Sequence, residues 1–169
     1  MAFKLQDFRS AVRDLARSYQ FECEINFPTI VGSSSIASIL VQSTKVPTKT
    51  YAPTPANFMG QPHFYAGAAT YDAWTCTMRI DDNLDIYKKM RAWSEVMIGT
   101  ETNIAAFPSG YKSSITVYQL DVAGNRLVSF ELNGAWLSDI GDITLDYSSH
   151  APQTAELSFE YDYFVFEVL

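Results

Sequence analysis

Residues 71–99 read YDAWTCTMRIDDNLDIYKKMRAWSEVMIG, and two periodicities meet inside them. In the first ten, Trp74, Cys76, Met78 and Ile80 alternate with Thr75, Thr77 and Arg79. A repeat of two puts apolar side chains on one face of a strand and polar ones on the other. From Leu84 the repeat lengthens. Leu84, Tyr87, Met90 or Arg91, Trp93, Val96 and Met97 recur at steps of three and four, the spacing of one helix face. Between the two, Asp81-Asp82-Asn83 offers carboxylates and an amide to the unpaired N–H groups and the positive end of that helix. Gly99 supplies a residue that accepts positive φ at the helix end. The stretch predicts a strand, a capped turn and an amphipathic helix, with Trp74 and Trp93 aimed at a core. The other internal patterned segments read as strands. The expected fold is mainly β with one internal helix, an antiparallel β-sandwich or barrel.

On the N-terminal side, Tyr19, Phe21, Cys23, Ile25 and Phe27 alternate with Gln20, Glu22, Glu24 and Asn26, and Pro28 ends the run. Before it, residues 3–18 place Leu5, Phe8, Val12 and Leu15 on one helical seam, leading to Tyr19. Arg9, Arg13 and Arg17 lie four apart on another side. This stripe reads either as a wet basic face or as an arm that docks on a neighbouring copy. Gly32–Ser35 reads as a loop and residues 36–46 as a strand, with Ile39 and Val41 on its apolar face and Gln42 and Thr44 on its polar side. Residues 47–69 hold four of the seven prolines and the aromatics Tyr51, Phe58, Phe64 and Tyr65 without a period. Proline removes backbone donors, so a regular central strand is not expected. Met59-Gly60 suits the tip of a long extended hairpin. The segment either folds over its own domain or packs on another subunit, and its unpaired aromatics favour the second.

On the C-terminal side, Thr100–Tyr111 reads as a loop. Ser113–Leu120 and Arg126–Asn133 read as strands joined by a turn at Gly124-Asn125. Trp136 sits among apolar neighbours and is expected in the core. Asp142–Tyr147 reads as a short strand, Ser148–Pro152 as a turn, and Thr154–Val168 as one long strand whose two faces both become apolar at Phe164–Phe166.

A chain of 169 residues fits a single domain, residues 1–169, with a real core. With 47% hydrophobic residues and a mean hydropathy of −0.05, it reads as globular. No apolar run approaches the length of a membrane span, and the charged N-terminus lacks the apolar core of a secretory signal. Stable membrane insertion is therefore not expected. A net charge of −7 disfavours a protein that grips nucleic acid. The charge is also uneven. Lys4, Arg9, Arg13 and Arg17 put a third of the 12 basic residues in the first seventeen positions, whereas the last forty-nine carry nine acids against Arg126 alone. Basic head and acidic tail read as solvated surface or as complementary patches between copies.

The residues carry no catalytic constellation. Phosphate-loop, metalloprotease and serine-hydrolase signatures are absent. Ser149-His150 falls in a turn without a carboxylate to orient it. Asp81-Asp82-Asn83 lacks the glycine and distal glutamate of a calcium loop. Cys23, Cys76, His63 and His150 do not form a zinc set at recognisable spacing, and both cysteines fall on apolar strand faces, where buried thiols are expected rather than a disulfide. Neither a cofactor nor a metal is expected, and the chain reads as non-enzymatic.

Three motifs, taken in order, resemble the tail tube proteins of contractile-tailed bacteriophages. They are Thr70–Met78 with Asp82-Asn83 before the helix, Leu132–Trp136 running into Asp139–Tyr147, and Ala155–Tyr163. The resemblance covers nearly the whole chain. It implies hexameric rings whose strands join into one inner barrel, stacked into a hollow conduit inside a contractile sheath. The implied partners are the chain itself, a tail sheath protein, and baseplate and tail terminator proteins, with DNA only in transit. The implied location is the virion tail, after assembly in the host cytoplasm. It also implies a lumen lined by Gln42, Thr44, Ser129, Glu131 and Asn133, with Val128, Phe130, Leu132, Ile39 and Val41 facing the core. Arg9, Arg13, Arg17, Tyr51, Phe58, Phe64 and Tyr65 become candidates for contacts between subunits. Two alternatives stand beside it: a tube subunit of a type VI secretion system or contractile bacteriocin, and a small-ligand-binding β-barrel with an apolar pocket.

Overall fold

The structure is a computed structural model that describes residues 15–32 and 36–169. The opening stretch folds as its two periods dictate. Trp74–Arg79 is a strand (β5), and Asp85–Met97 is the long helix (α2). Asp81 receives the helix start: its carboxylate accepts from the backbone N–H groups of Asp85 at 3.1 Å and Ile86 at 3.3 Å. Its pKa is lowered, the backbone hydrogen bonds outweighing the desolvation that opposes them. The helix buries Ile86, Met90 and Trp93, and the chain leaves helical geometry at Ile98, one residue before Gly99.

The body is built from two antiparallel sheets. One contains β1 (Phe21–Ile25), β6 (Ser113–Leu120), β7 (Arg126–Ile140) and β9 (Tyr163–Val168). The other contains β2 (Val41–Thr44), β5, β8 (Thr154–Glu160) and the second half of β7. Strand β7 thus belongs to both. It changes sheets at Gly134, whose φ is +67°, the region that glycine tolerates. A side chain there would also collide with the carboxylate of Asp162, which Lys112 Nζ grips at 2.6 and 2.8 Å. The same corner separates β8 from β9, and Asp162 N–H donates to the Asn133 carbonyl at 3.0 Å.

Registers explain the core. In the first sheet, Cys23, Val117, Phe130 and Phe166 form one row, and Ile25, Ile115, Leu132 and Phe164 the next. Apart from the exposed Phe166, these rows face Trp74, Cys76, Met78, Leu157, Phe159 and Leu137 of the second sheet, and α2 lays Met90 and Trp93 onto the same interior. Trp74 and Trp93 are 1% and 0% exposed. Their rings meet Phe159 at 5.6 and 5.8 Å, and their indole N–H groups donate to the carbonyls of Lys45 (2.7 Å) and Tyr111 (2.8 Å). A buried indole is inexpensive when its polar edge is paired in this way. Cys23 and Cys76 are buried, free thiols. Burial pushes Cys23 up to about 12 and Cys76 higher still, so neither is a ready nucleophile.

Several expectations are corrected. Residues 36–46 do not form one strand: Ile36–Leu40 is a short helix (α1), followed by β2. Strand alternation therefore fails for Ile39, which is 81% exposed rather than inside. The Asp142–Tyr147 segment is a loop, whose Leu145 and Tyr147 are exposed. The long terminal strand is broken at Tyr161-Asp162 by the corner just described. Trp136 is half-buried. Ala135 and Leu137 take the inward positions, so its ring turns to the other face, opposite Glu160 and edge-on to Tyr111 of the short helix Pro108–Tyr111 (α3) at 6.5 Å. Of the N-terminal helix expected over residues 3–18, positions through 14 lie outside the described residues, as do Arg9 and Arg13. Residues 15–18 are not helical.

Candidate functional site

Lys49–Phe58 (β3) and Gln61–Tyr71 (β4) form a separate two-stranded sheet that projects from the body as an arm. The proline-rich composition does not prevent regular strands here, because the hairpin has no central position to fill. Its tip is the Met59-Gly60 turn, with φ of +50° and +82°, the geometry that matches the twist of a tight hairpin. Phe58 pairs with Gln61 across the turn, and the register runs back through Ala56–His63 and Thr54–Tyr65. In such a hairpin the closing pair exchanges hydrogen bonds, and every second pair does so again. Pro53, Pro55 and Pro62 fall at the intervening positions, opposite Ala66, Phe64 and Asn57. Their ring nitrogens thus face away from the partner strand, so no bond of the hairpin is lost.

Among the described residues the arm is anchored at its base. Pro47 is buried, Thr48 Oγ1 donates to Asp72 Oδ2 at 3.1 Å, and Lys49 Nζ sits 5.2 and 5.8 Å from the ring centres of Tyr51 and Tyr71. Tyr71 packs against Tyr161 and Phe164 at 5.8 Å each. Every residue from Thr48 to Ala66 is exposed, including the four sequence candidates Tyr51, Phe58, Phe64 and Tyr65, together with Met59. From Thr50 to Tyr71 there is no Asp, Glu, Lys or Arg. An uncharged aromatic arm of this kind is poor solvent-facing surface and good interface.

A second surface is the outer, polar face of the first sheet. Across its strands run the rows Glu22, Tyr118, Ser129, Glu167 and Glu24, Thr116, Glu131, Val165. Arg126 lies over the Tyr118 ring at 3.8 Å and bonds Glu22 at 2.9 Å and Glu24 at 2.7 Å, so its charge is raised in pKa and quenched by both carboxylates. Glu131 is exposed on this face and Asn133 is half-buried. Ser129 shares the face but is only 7% exposed, its short side chain flanked by Tyr118 and Glu167. Val128 and Phe130 are half-buried and Leu132 is buried, all on the inward face. Gln42 is exposed, and Thr44 donates to the Thr75 carbonyl at 3.3 Å. Arg17, the described member of the basic stripe, is exposed and donates to Tyr19 Oη at 2.9 Å.

Sequence reasoning reads β9 as the end of one long strand and misses that it is a separate strand paired with β7. Its far edge has no partner strand among the described residues, and Tyr163, Val165, Phe166 and Val168 are exposed along it. The signal was present in the apolar run Phe164–Phe166, read as an approaching second surface without a partner strand in hand.

Compared with known proteins, residues 16–167 match the family model described as phage tail tube protein. This chain belongs to the phage tail tube protein family. The tail tube subunit is 28% identical over 153 residues to the tail tube protein gp19 of Enterobacteria phage T4, covering 89% of this chain and 91% of that one. It is 25% identical over 152 residues to the tail tube protein of Serratia phage KSP90, covering 86% of each. Among solved structures, it resembles a chain of the anti-feeding prophage baseplate with a TM-score of 0.70, at 13% identity and with coverage of 92% and 97%. It resembles a chain of the sheath–tube complex of the PVC extracellular contractile injection system with a TM-score of 0.63, at 14% identity and with coverage of 99% and 100%. These two likenesses concern the fold. The tail tube subunit is a structural protein of the phage tail tube, not an enzyme.

Proposed function

We propose that copies of this subunit form hexameric rings, that the rings stack into a hollow tube inside a contractile sheath, and that the phage genome passes along the lumen. The observation that supports assembly is the arm. A two-stranded hairpin is marginal by itself in water, and this one carries exposed Tyr51, Phe58, Met59, Phe64 and Tyr65 that no other described part of the chain covers. Copies of the chain cover it. In this reading Arg17, with Arg9 and Arg13, meets acidic surface on a neighbouring copy.

The polar face bearing Glu22, Glu24, Glu131 and Glu167 lines the lumen, with Asn133 on the same face and Gln42 and Thr44 toward it. Each carboxylate repeats around every ring, and the one arginine on this face is held by two of them. A wall of that sign repels phosphate and gives DNA nothing to grip. The remaining partners are a sheath protein, a baseplate and a tube terminator. Solved structures of the same fold come from a baseplate, a sheath/tube terminator and a sheath–tube complex. The place of action is the virion tail, reached after assembly in the host cytoplasm.

Negative-stain microscopy of the concentrated protein tests the reading. Hollow tubes or rings are expected from the full chain. Deletion of Thr50–Thr70, bridged by a short glycine–serine linker, is expected to leave a folded monomer that forms neither. Dispersed monomers of the full chain under all conditions, or normal tubes from the deletion variant, overturn it.

A further inference from the structure

The two strands of the arm continue two strands of the body. Strand β3 follows β2, β4 leads into β5, and β2 and β5 are themselves a pair. One long hairpin would result, but its ladder is interrupted. Residues 45–48 on one side and 72–73 on the other lie outside the strands. The body side of this gap is pinned: the Trp74 indole N–H donates to the Lys45 carbonyl and Thr44 Oγ1 to the Thr75 carbonyl. On the arm side, Thr48 Oγ1 donates to Asp72 Oδ2 at 3.1 Å, and both residues are exposed. A break in both strands at one level is where a hairpin can bend, because a few residues there absorb a change in backbone angle while the ladders on either side stay whole.

Tyr161, at the corner between β8 and β9, packs against this joint. It is 8% exposed, and its hydroxyl is, among the described residues, the one buried side-chain oxygen or nitrogen without a hydrogen-bond partner. Its ring meets Tyr71, the last residue of the arm, at 5.8 Å and Phe164 at 6.4 Å. Burial pushes its pKa up, and the negative charge of Asp72 is the next cause, ahead of Tyr71 and Glu160. The Asp72 carboxylate thus acts on the hydroxyl without bonding it. A phenol sealed from water with no acceptor has given up its hydration and gained nothing in return, an arrangement that folded proteins rarely keep. The corner that carries Tyr161 is fixed, since Asp162 is held through its carboxylate by Lys112 and through its N–H by the Asn133 carbonyl. The movable side of the contact is the arm.

We propose that Tyr161 and Asp72 form a latch: in the assembled state the arm turns at residues 45–48 and 72–73, and Asp72 exchanges the Thr48 hydroxyl for that of Tyr161. The inference rests on the tube reading and adds what sets the angle of the arm on its own body. Water decides between the two bonds. In the free subunit Asp72 is exposed, and a hydrated carboxylate gains little by moving to a phenol. Copies packed around the base of the arm exclude that water. The carboxylate then needs a donor, and Tyr161 holds an unused one in surroundings of low dielectric, where such a bond is strong. The bond is made only in the assembled state, so it draws the arm toward the angle of that state and away from others.

The critical concentration for tube formation, followed by light scattering with the full chain, tests the latch. Tyr161→Phe removes the hydroxyl and keeps the ring contacts. It is expected to leave the monomer as stable in urea or more so, since no bond is lost, and to raise the critical concentration about tenfold, as loss of one hydrogen bond to a charged group does. Thr48→Val releases Asp72 from its present donor and is expected to act in the opposite direction. Asp72→Ala is expected to raise the critical concentration, and adding Tyr161→Phe to it to raise it no further. A Tyr161→Phe chain that polymerises like the unsubstituted one overturns the latch. So does a Tyr161→Phe monomer that is destabilised, because the hydroxyl would then be bonded already in the free subunit. Effects of Tyr161→Phe and Asp72→Ala that add in full overturn it as well, since the acceptor would then lie on the neighbouring copy, and a Thr48→Val chain that polymerises less readily overturns the exchange. Absence of rings and tubes from the unsubstituted chain instead removes the tube reading itself, and the latch with it.

Discussion

In the body, Trp74, Trp93, Phe159 and Leu132 are all but sealed from water, whereas in the arm Phe58, Phe64 and Met59 are 66%, 67% and 89% exposed. The residue types are similar; the surroundings are not. The body has two sheets and a helix, so each apolar face finds another within the same chain. Among the described residues the arm has two strands and no third layer, so both of its faces look outward. Apolar composition therefore reports two things in this chain: a core that one copy completes, and a surface that one copy leaves open. Periodicity separates them. Alternation at Trp74–Ile80 marks a strand with an inside and an outside, and its absence from 47–69 marks strands with neither.

The largest effect that sharpens this contrast comes from the body. Trp74→Ala removes the packing on Phe159 and the bond to the Lys45 carbonyl, and truncation of a buried tryptophan costs about 3–5 kcal/mol. Urea denaturation should show that loss. Unchanged stability would mean that the two sheets are not held together there.

Next comes its counterpart in the arm. The double variant Phe58→Ser and Phe64→Ser should change the stability of the monomer by no more than about 0.5 kcal/mol, as surface substitutions do. Assembly, followed by light scattering, should be lost. A monomer destabilised as strongly as by Trp74→Ala would show that the arm folds back on its own body, and the contrast would collapse.

The smallest effect distinguishes the two hairpins by acid. In the β6–β7 turn, Asp121 accepts from the backbone N–H groups of Ala123 (2.7 Å) and Asn125 (2.8 Å) and from Asn125 Nδ2 (2.9 Å). The Asn125 side chain, then these backbone groups, hold its carboxyl below the usual range. A depressed carboxylate stabilises the fold above its unfolded pKa, roughly pH 4, and that contribution is lost as pH falls through the lower folded value. Amide exchange at Ala123 and Asn125 should therefore speed up under acid, relative to the intrinsic rate, and Asp121→Asn should remove the pH dependence. The arm has no carboxylate between Thr50 and Tyr71, so its amides should show no matching transition. Equal acid sensitivity in both hairpins would contradict this.

What the sequence disclosed follows the range over which its signals act. Strand β5, the Asp81 cap, helix α2 and the Met59-Gly60 tip are written in contiguous residues, and all are present. Misreadings arose where local pattern and tertiary context diverge. Ile36–Val46 alternates well enough to suggest one strand, yet its first five residues coil. Gly134 resembles a strand end, but it is the point where β7 moves between sheets and continues. Tyr161-Asp162 preserves alternation through a corner where Asp162 meets Lys112 and Gly134, far away in sequence. Trp136 was read inward although its neighbours Ala135 and Leu137 are the buried pair. Residues of the candidate surfaces were legible as unpaired aromatics and alternating carboxylates. Their partners were not, because β1–β6 and β7–β9 registers join segments scores of residues apart.

The proline row on β3 gives the subunit a valence. With Pro53 and Pro55 turned outward, the arm has one bonding side and one dead side. A strand laid along β4 beyond Pro62 meets a donor at each outward position, whereas one laid along β3 finds none at two of the three nearest the tip. Two proline rings thus make a two-edged hairpin one-sided.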